Sequence, residues 1–163
     1  TPVDVAIKIS GLTDFVAPSL STFDLNVNFN PTILGFSSAT YGDPIVGDQL
    51  DLFGLGSLKL TTTGAGFVNL FELSFDLPGD LNALQRGDFI LATVTFNTLS
   101  LGVSPLSFTV NALGDADGNP LVASLGSGSV NVSAVPEPAT LVLLASGLVG
   151  LVGFGRKQLF KQA

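Results

Sequence analysis

The 163-residue chain contains no cysteine, histidine, methionine or tryptophan. Without cysteine, neither a disulfide framework nor a thiolate metal site can form. The joint absence of histidine and cysteine excludes Ser-His and Cys-His nucleophiles and also imidazole metal cages. Tyr41 is the single tyrosine, so the flat aromatic platforms used for sugar stacking are scarce. The sequence therefore predicts a protein that is not an enzyme.

Positive charge is also scarce in most of the chain. Residues 1–135 carry three basic and twelve acidic side chains, a net charge of −9, whereas residues 136–163 carry a net charge of +2. The acidic part repels nucleic acid, which argues against DNA or RNA binding. We expect Thr1 to be a mature N-terminus left by signal-peptide removal, although an arbitrary chain boundary would look the same.

Residues 1–133 alternate apolar and polar side chains with the period of a β-strand. The clearest run has Phe23, Leu25, Val27 and Phe29 on one face, and Pro31 ends it. Other strands are predicted over residues 3–9, 33–39, 57–62, 67–77, 89–96, 106–112 and 129–132. Turn residues separate them, as in Asp117-Gly118-Asn119-Pro120. The pattern predicts an antiparallel β-sandwich with loops at 41–56 and 124–129 and one helical turn at 81–84.

Two of these strands carry specific predictions about their inward faces. In the strand over 67–77, Glu72 is predicted to face solvent and the inward residues are Phe71, Leu73, Phe75 and Leu77. In the strand over 89–96, the inward residues are predicted to be Ile90, Ala92, Val94 and Phe96.

Acidic residues near turns are candidate calcium ligands. Asp115, Asp117 and Asn119 place oxygen ligands at alternate positions, as calcium prefers. Gly118 and Gly126 stand where an EF-hand does not have glycine, so that motif is excluded. The alternative is a hairpin turn that needs positive φ. No other cofactor is predicted.

A second acidic group lies in the predicted loop over 41–56. Asp43, Asp48 and Asp51 are candidates for calcium or sugar binding, although a solvated acidic loop is favoured. A glycosidase would need two opposed carboxylates in a cleft. Glu72 is the one glutamate of residues 1–135, and with Asp76 it is expected to face solvent.

The C-terminal segment is typical of a membrane-sorting tail. Pro136 and Pro138 precede seventeen uncharged residues at 139–155, about 25 Å long as a helix at roughly 1.5 Å per residue. That length is at the lower limit for crossing a bilayer. Arg156 and Lys157 then follow, and the positive-inside rule leaves them in the cytoplasm. No polar face runs through the segment, which argues against an amphipathic helix of a soluble core.

Small residues cluster on one side of the predicted tail helix. They lie within about 120° of one another at roughly 100° per residue, and they are Ser146, Gly147, Gly150 and Gly153, together with Ala139. Such a stripe lets two helices pack closely, although membrane helices are rich in glycine in any case.

The tail resembles the PEP-CTERM sorting signal. The likeness rests on Pro136-Glu137-Pro138, the apolar segment and the basic cluster. It implies that Pro136, Glu137, Pro138, Arg156 and Lys157 are recognised by an exosortase, a membrane-embedded processing enzyme. It also implies export to the surface or matrix of a Gram-negative bacterium, with a stage anchored in the inner membrane.

The order of strands in the body is similar to that of a cohesin-like domain, a jelly-roll sandwich. The likeness lies in residues 23–42, in the run Gln85-Arg86-Gly87-Asp88 leading into a core strand, and in residues 128–132. Asn30 departs from it, because such domains often have aspartate there. The resulting prediction is an all-β, antiparallel jelly-roll sandwich at 1–133, a linker at 134–138, a hydrophobic helix at 139–155 and a basic tail at 156–163.

Two functional hypotheses follow. The favoured one is an exported structural protein of the surface or extracellular matrix that self-assembles into a filament through its C-terminal helix. The alternative is a cohesin-like module that binds a protein partner or an exopolysaccharide.

Overall fold

The computed structural model describes residues 1–134, within which Thr1–Val132 form one compact unit. The unit contains eight strands and one short helix. In chain order they are β1 (Pro2–Ile9), β2 (Leu20–Asn28), β3 (Leu34–Tyr41), β4 (Ser57–Gly64), β5 (Phe67–Ser74), α1 (Pro78–Leu84), β6 (Phe89–Thr98), β7 (Gly102–Asp115) and β8 (Gly128–Val132).

The strands form two antiparallel sheets. One has the order β1-β6-β3 and the other the order β4-β5-β2-β7-β8. The predicted all-β antiparallel jelly-roll sandwich is therefore confirmed. The two sheets enclose one apolar core.

Strand β2 lies at the centre of the five-stranded sheet, and every second side chain of the strand points into that core. Phe23, Leu25 and Val27 are buried as predicted. Across the ladder, Leu25 pairs with Leu70 and Val27 with Val68, both on β5. Full burial of such a side chain contributes roughly 1.5–3 kcal/mol, so these cross-strand pairs also fix the register of the sheet.

The predicted inward face of β5 is wrong. Val68, Leu70 and Glu72 point into the sandwich, whereas Leu73 points outward. Apolar residues occupy both alternating sets of this strand, so its own periodicity does not decide between them. The register with β2 decides instead, because it places Val68 and Leu70 opposite the buried residues of β2. The strand also ends at Ser74, and Phe75 and Leu77 are exposed.

Strand β6 follows its prediction only in part. Ala92, Val94 and Phe96 are fully buried, as expected. Ile90 is only partly buried, because the register with β1 shifts between Ile7 and Lys8. This β-bulge reverses the alternation and turns Phe89 and Leu91 inward.

Three further predictions concern the loop after β3, the helical turn and the C-terminal segments. The chain between β3 and β4 is a loop as predicted, and the predicted helical turn is α1. Among residues 1–134, no helix has the length and apolar character needed to cross a membrane. The predicted helix at 139–155 and basic tail at 156–163 lie outside the described residues.

Candidate functional site

The outer face of the five-stranded sheet carries an apolar patch. Leu58 pairs with Leu73 and Leu60 with Phe71 across the β4–β5 ladder, so the four side chains lie on one side of the sheet. Leu58, Leu60 and Leu73 are each 37–51% exposed. We call these four residues the outer patch. Exposed apolar side chains are common singly, but a contiguous group of this kind is a candidate interaction surface.

A row of amide side chains adjoins the outer patch on the same face. The Asn69 side chain donates hydrogen bonds to Asp24 Oδ1 at 2.6 Å and to Asn26 Oδ1 at 2.9 Å. Asn111 of β7 donates to Asp24 Oδ1 at 2.9 Å. The carboxylate of Asp24 is thus held by donors from both neighbouring strands. These internal hydrogen bonds hold the side chains of Asn26, Asn69 and Asn111, here called the amide row, in fixed positions beside the outer patch.

The outer face is nearly uncharged, although the domain is strongly acidic. Among the outward-facing side chains of the described strands β4, β5, β2 and β7, Asp24 is the one charged group. Residues 1–135 otherwise contain eleven further acidic side chains. Charged residues are depleted at the core of protein interfaces, so this face has the composition of such a core.

Directly beneath the outer patch lies a buried ionic cluster. Glu72 is 1% exposed, and its Oε1 accepts a hydrogen bond from Ser57 Oγ at 2.6 Å. Lys59 Nζ lies 2.6 Å from Asp48 Oδ2 and 3.4 Å from Glu72 Oε1. Gly42 helps to place Asp48: it has φ +87°, and a Cβ there would lie 3.1 Å from the Asp48 Cα. The loop therefore folds tightly against β4.

The cluster holds one ammonium group and two carboxyl groups, so one carboxyl group is left without a countercharge. Burial raises the pKa of Glu72 to about 7, and the neighbouring Asp48 charge acts in the same direction against the opposing effects of Ser57 and Lys59. Burial alone would lower the pKa of Lys59, but the hydrogen bond to Asp48 and the charge of Glu72 raise it overall. The carboxyl group of Glu72 therefore takes up a proton near neutral pH.

The three aspartates predicted in the loop at 41–56 have separate structural roles. Asp43 accepts backbone N–H groups of Ile45 and Ile90, and these bonds, led by that from Ile90, lower its pKa. Asp51 accepts the N–H of Gly56 at 2.9 Å. Asp48 instead belongs to the ionic cluster.

Glu72 and Asp76 were predicted to face solvent, and this prediction is wrong, because both carboxyl groups are buried. Asp76 is 7% exposed, and its Oδ2 accepts the N–H of Leu52 at 2.7 Å. Glu72 is enclosed by the ionic cluster, so a substrate does not reach it. In residues 1–134, no three acidic, histidine or cysteine side chains are grouped so that they could hold a metal ion.

Asp115 organises the turn that follows β7. Its Oδ1 accepts the backbone N–H of Asp117 at 3.0 Å and that of Asn119 at 2.7 Å, and its Oδ2 accepts the Asn119 amide at 3.1 Å. The bonds from Asn119 in particular lower the pKa of Asp115. The structure thus brings Asp115 and Asn119 together, while calcium binding by Asp115, Asp117 and Asn119 stays a prediction.

The other predicted site residues lie outside the described residues, namely Pro136, Glu137, Pro138, Ser146, Gly147, Gly150, Gly153, Arg156 and Lys157. The outer patch and the amide row were not among the sites predicted from the sequence. The alternation of Asp24, Asn26 and Asn28 along β2 was the available signal for a polar outer face. Their neighbours Asn69 and Asn111 could not be assigned without the strand register.

Residues 134–157 match the PEP-CTERM protein-sorting motif. The predicted sorting signal is therefore confirmed, and it indicates an exported protein that is sorted to the cell surface. No curated protein matches the chain.

The body is similar to solved cohesin structures. The sixth cohesin of scaffoldin B from Acetivibrio cellulolyticus, solved with a dockerin, has 21% identity and a TM-score of 0.62, covering 82% of this chain and 89% of that one. A non-cellulosomal cohesin from Archaeoglobus fulgidus has 15% identity and a TM-score of 0.60, covering 82% of both chains. A type I cohesin–dockerin complex from Clostridium thermocellum has 15% identity and a TM-score of 0.62, covering 82% and 89%. At these identities the likeness shows a cohesin-like fold.

Proposed function

We propose that the protein is an exported, non-catalytic binding module that recognises a protein partner through the outer face of its five-stranded sheet. The observation that carries the proposal is the nearly uncharged outer patch on a domain whose net charge is strongly negative. Burying such a patch gains hydrophobic free energy without bringing an uncompensated carboxylate of the patch itself into the interface.

The two parts of the outer face suit different parts of a protein ligand. The outer patch supplies apolar area, and the amide row of Asn26, Asn69 and Asn111 supplies polar contacts around Asp24. Two of the similar cohesins were solved with dockerins. A dockerin-like protein domain is therefore our first choice of partner.

In this proposal the C-terminal segment directs the export and sorting of the protein. An exosortase would recognise Pro136, Glu137 and Pro138, while the apolar segment at 139–155 holds the protein in the inner membrane and Arg156 and Lys157 remain in the cytoplasm. The binding domain at 1–133 would then be presented outside the cytoplasm, linked through residues 134–138.

A structural role in the matrix is the second candidate. The small-residue stripe of Ser146, Gly147, Gly150 and Gly153 favours a filament in which the C-terminal helices pack together. An exopolysaccharide is the second class of ligand, because amide side chains such as those of the amide row hydrogen-bond to sugar hydroxyl groups.

The binding proposal is tested by comparing two leucine-to-aspartate variants of the exported protein. Leu60→Asp places a charge within the outer patch, and Leu101→Asp places one at an exposed leucine in the β6–β7 turn, outside the patch. Proteins cross-linked to each variant at the cell surface are identified by mass spectrometry. We expect Leu60→Asp to lose a partner that wild type and Leu101→Asp both retain, and equal partner sets for all three would overturn the proposal.

Two further measurements separate the candidates. Electron microscopy of the purified protein would show polymers if the filament hypothesis holds, and monodisperse particles at all concentrations would remove it. A glycan array probed with wild type and Asp24→Ala would reveal selective sugar binding through the amide row. Absence of any selective glycan leaves a protein as the partner.

A further inference from the structure

The hairpin formed by β7, β8 and their connection keeps a single register at both ends. Near its open end, Gly102 pairs with Val132 and Leu106 with Gly128. Near its turn, Gly114 pairs with Pro120, and Leu121 N–H donates to the Leu113 carbonyl at 2.9 Å. Each step forward along β7 corresponds to one step backward on the returning chain.

The middle of this hairpin is not paired. No described backbone hydrogen bond holds residues 122–127, although the register places them opposite residues 107–112. Val122 is 99% and Leu125 is 53% exposed. The β7–β8 ladder could therefore continue from Leu106 and Gly128 by four further pairs, Ser107–Ser127 to Val110–Ser124, without a change of register. It would stop where the register of β7 with β2 shifts next to Val110.

An apolar cavity of about 670 Å³ opens beside the unpaired segment. Phe108 and Val110 of β7 form one side, and β1 forms another with Ile7 among its lining residues. The buried side chains of Leu25, Val27 and Leu91 lie at its base. Residues 121–128 line the remaining side. The unpaired part of β7 and the unpaired residues 122–127 thus line the same cavity.

We propose that residues 122–127 act as a latch, which closes this cavity when residues 124–127 pair with β7. In the continued register, the small residues Ser124 and Gly126 lie opposite Val110 and Phe108, so no large side chain obstructs closure. Pairing would form backbone hydrogen bonds but would also order a segment that includes Gly126, at an entropic cost. Because these contributions are of similar size and opposite sign, the open and closed states have similar free energies.

A cysteine pair tests the closed register, since the chain has no other cysteine. Thr109→Cys with Leu125→Cys joins two exposed positions that lie directly opposite each other when the latch is closed. Their Cα atoms would then be about 4.5–5.5 Å apart, within the range of a disulfide. The control, Thr109→Cys with Ala123→Cys, shifts the second cysteine by two residues on the same segment. We expect the matched pair to oxidise at least tenfold faster than the control.

Access to the cavity is measured with the dye 8-anilinonaphthalene-1-sulfonate, which fluoresces in apolar sites. Oxidation of the matched pair should lower the bound-dye fluorescence severalfold, and reduction should restore it. Equal oxidation rates for the two pairs, or unchanged fluorescence after cross-linking, would overturn the proposal.

Discussion

Lys59 and Glu72 are direct cross-strand partners in the β4–β5 ladder, and the ammonium nitrogen lies 3.4 Å from the buried carboxyl oxygen. Lys59 also points inward from an edge strand of the five-stranded sheet. A charge directed inward from an edge strand hinders pairing with another sheet edge. Lys59 therefore has two roles. Its charge affects the protonation of the buried Glu72, and it also hinders pairing of the exposed edge of β4 with another sheet.

The stability of the protein should increase when the pH falls from 8 to 5. Burial raises the pKa of Glu72 from 4.5 to about 7, so the folded state binds its proton more tightly than the unfolded state does. This contribution is complete below the unfolded pKa and is lost as the pH rises through the folded pKa. We expect the free energy of unfolding to change by about 2–3 kcal/mol, somewhat less than the full shift gives, because pH 5 is still above the unfolded pKa of 4.5.

Urea unfolding at several pH values measures this dependence, and Glu72→Gln is the matched control. Glutamine keeps the size and hydrogen-bonding capacity of a protonated glutamate without the titration. The variant should be more stable than wild type at pH 8 and should lack most of the increase toward pH 5. A wild-type profile that the substitution leaves unchanged would show that Glu72 does not hold the proton.

Removing the Lys59 charge should both destabilise the domain and promote association. Lys59→Met leaves Asp48 and Glu72 without their cation and removes the inward charge from β4. Since Lys59 is about one-third exposed, we expect a loss of about 1–2 kcal/mol rather than the larger loss of a fully buried pair. Chemical denaturation measures the stability, and light scattering measures the association.

The double variant Lys59→Met with Glu72→Leu separates the two effects. It removes the uncompensated glutamate together with the lysine, so stability should recover in part. Association should persist, because β4 still lacks its inward charge. Recovery of the monomer together with stability would instead mean that association follows from unfolding alone.

The sequence predicts an inward face where only one alternating set is apolar, as in β2 with Phe23, Leu25 and Val27. It fails in β5, where Leu70 and Phe71 stand in opposite sets and the partner strand decides. The predicted inward face of β6 is wrong only near Ile90, because the β-bulge there arises from pairing with β1. The polar outer residues of β2 could be predicted from its alternation, but the outer patch could not, because it depends on the register between strands. The buried position of Glu72 follows from the same register.

Gln85 is expected to be essential for joining the loops at one end of the sandwich. It is 2% exposed; its Oε1 accepts the N–H of Leu20 at 2.6 Å, and its Nε2 donates to the carbonyls of Leu20 and Gln49. Gln85→Ala would leave three buried backbone groups without partners, at a cost of about 3–4 kcal/mol. Thermal unfolding measures the loss, and the exposed neighbour substitution Arg86→Ala should change stability by less than about 0.5 kcal/mol. Similar losses for both variants would contradict this role.

The turn after β7 should depend on Asp115 without requiring a metal ion. Asp115 fixes the turn by accepting the N–H groups of Asp117 and Asn119. Asp115→Ala should therefore lower the melting temperature in the presence of EDTA. Because these bonds, led by those from Asn119, lower the pKa of Asp115, its contribution is present above the unfolded value of 3.8 and is lost at lower pH.

Calcium titration of the same protein tests the predicted site of Asp115, Asp117 and Asn119. Bound calcium must compete with the amide donors that already engage both oxygens of Asp115. If the site binds calcium, millimolar calcium should raise the melting temperature of wild type above its value in EDTA, since a ligand that binds only the folded state stabilises it. Asp117→Asn removes one charge but leaves the backbone bond to Asp115 in place, so it should reduce that increase while preserving the melting temperature in EDTA. An identical melting temperature of wild type in calcium and in EDTA would assign Asp115 to the turn alone.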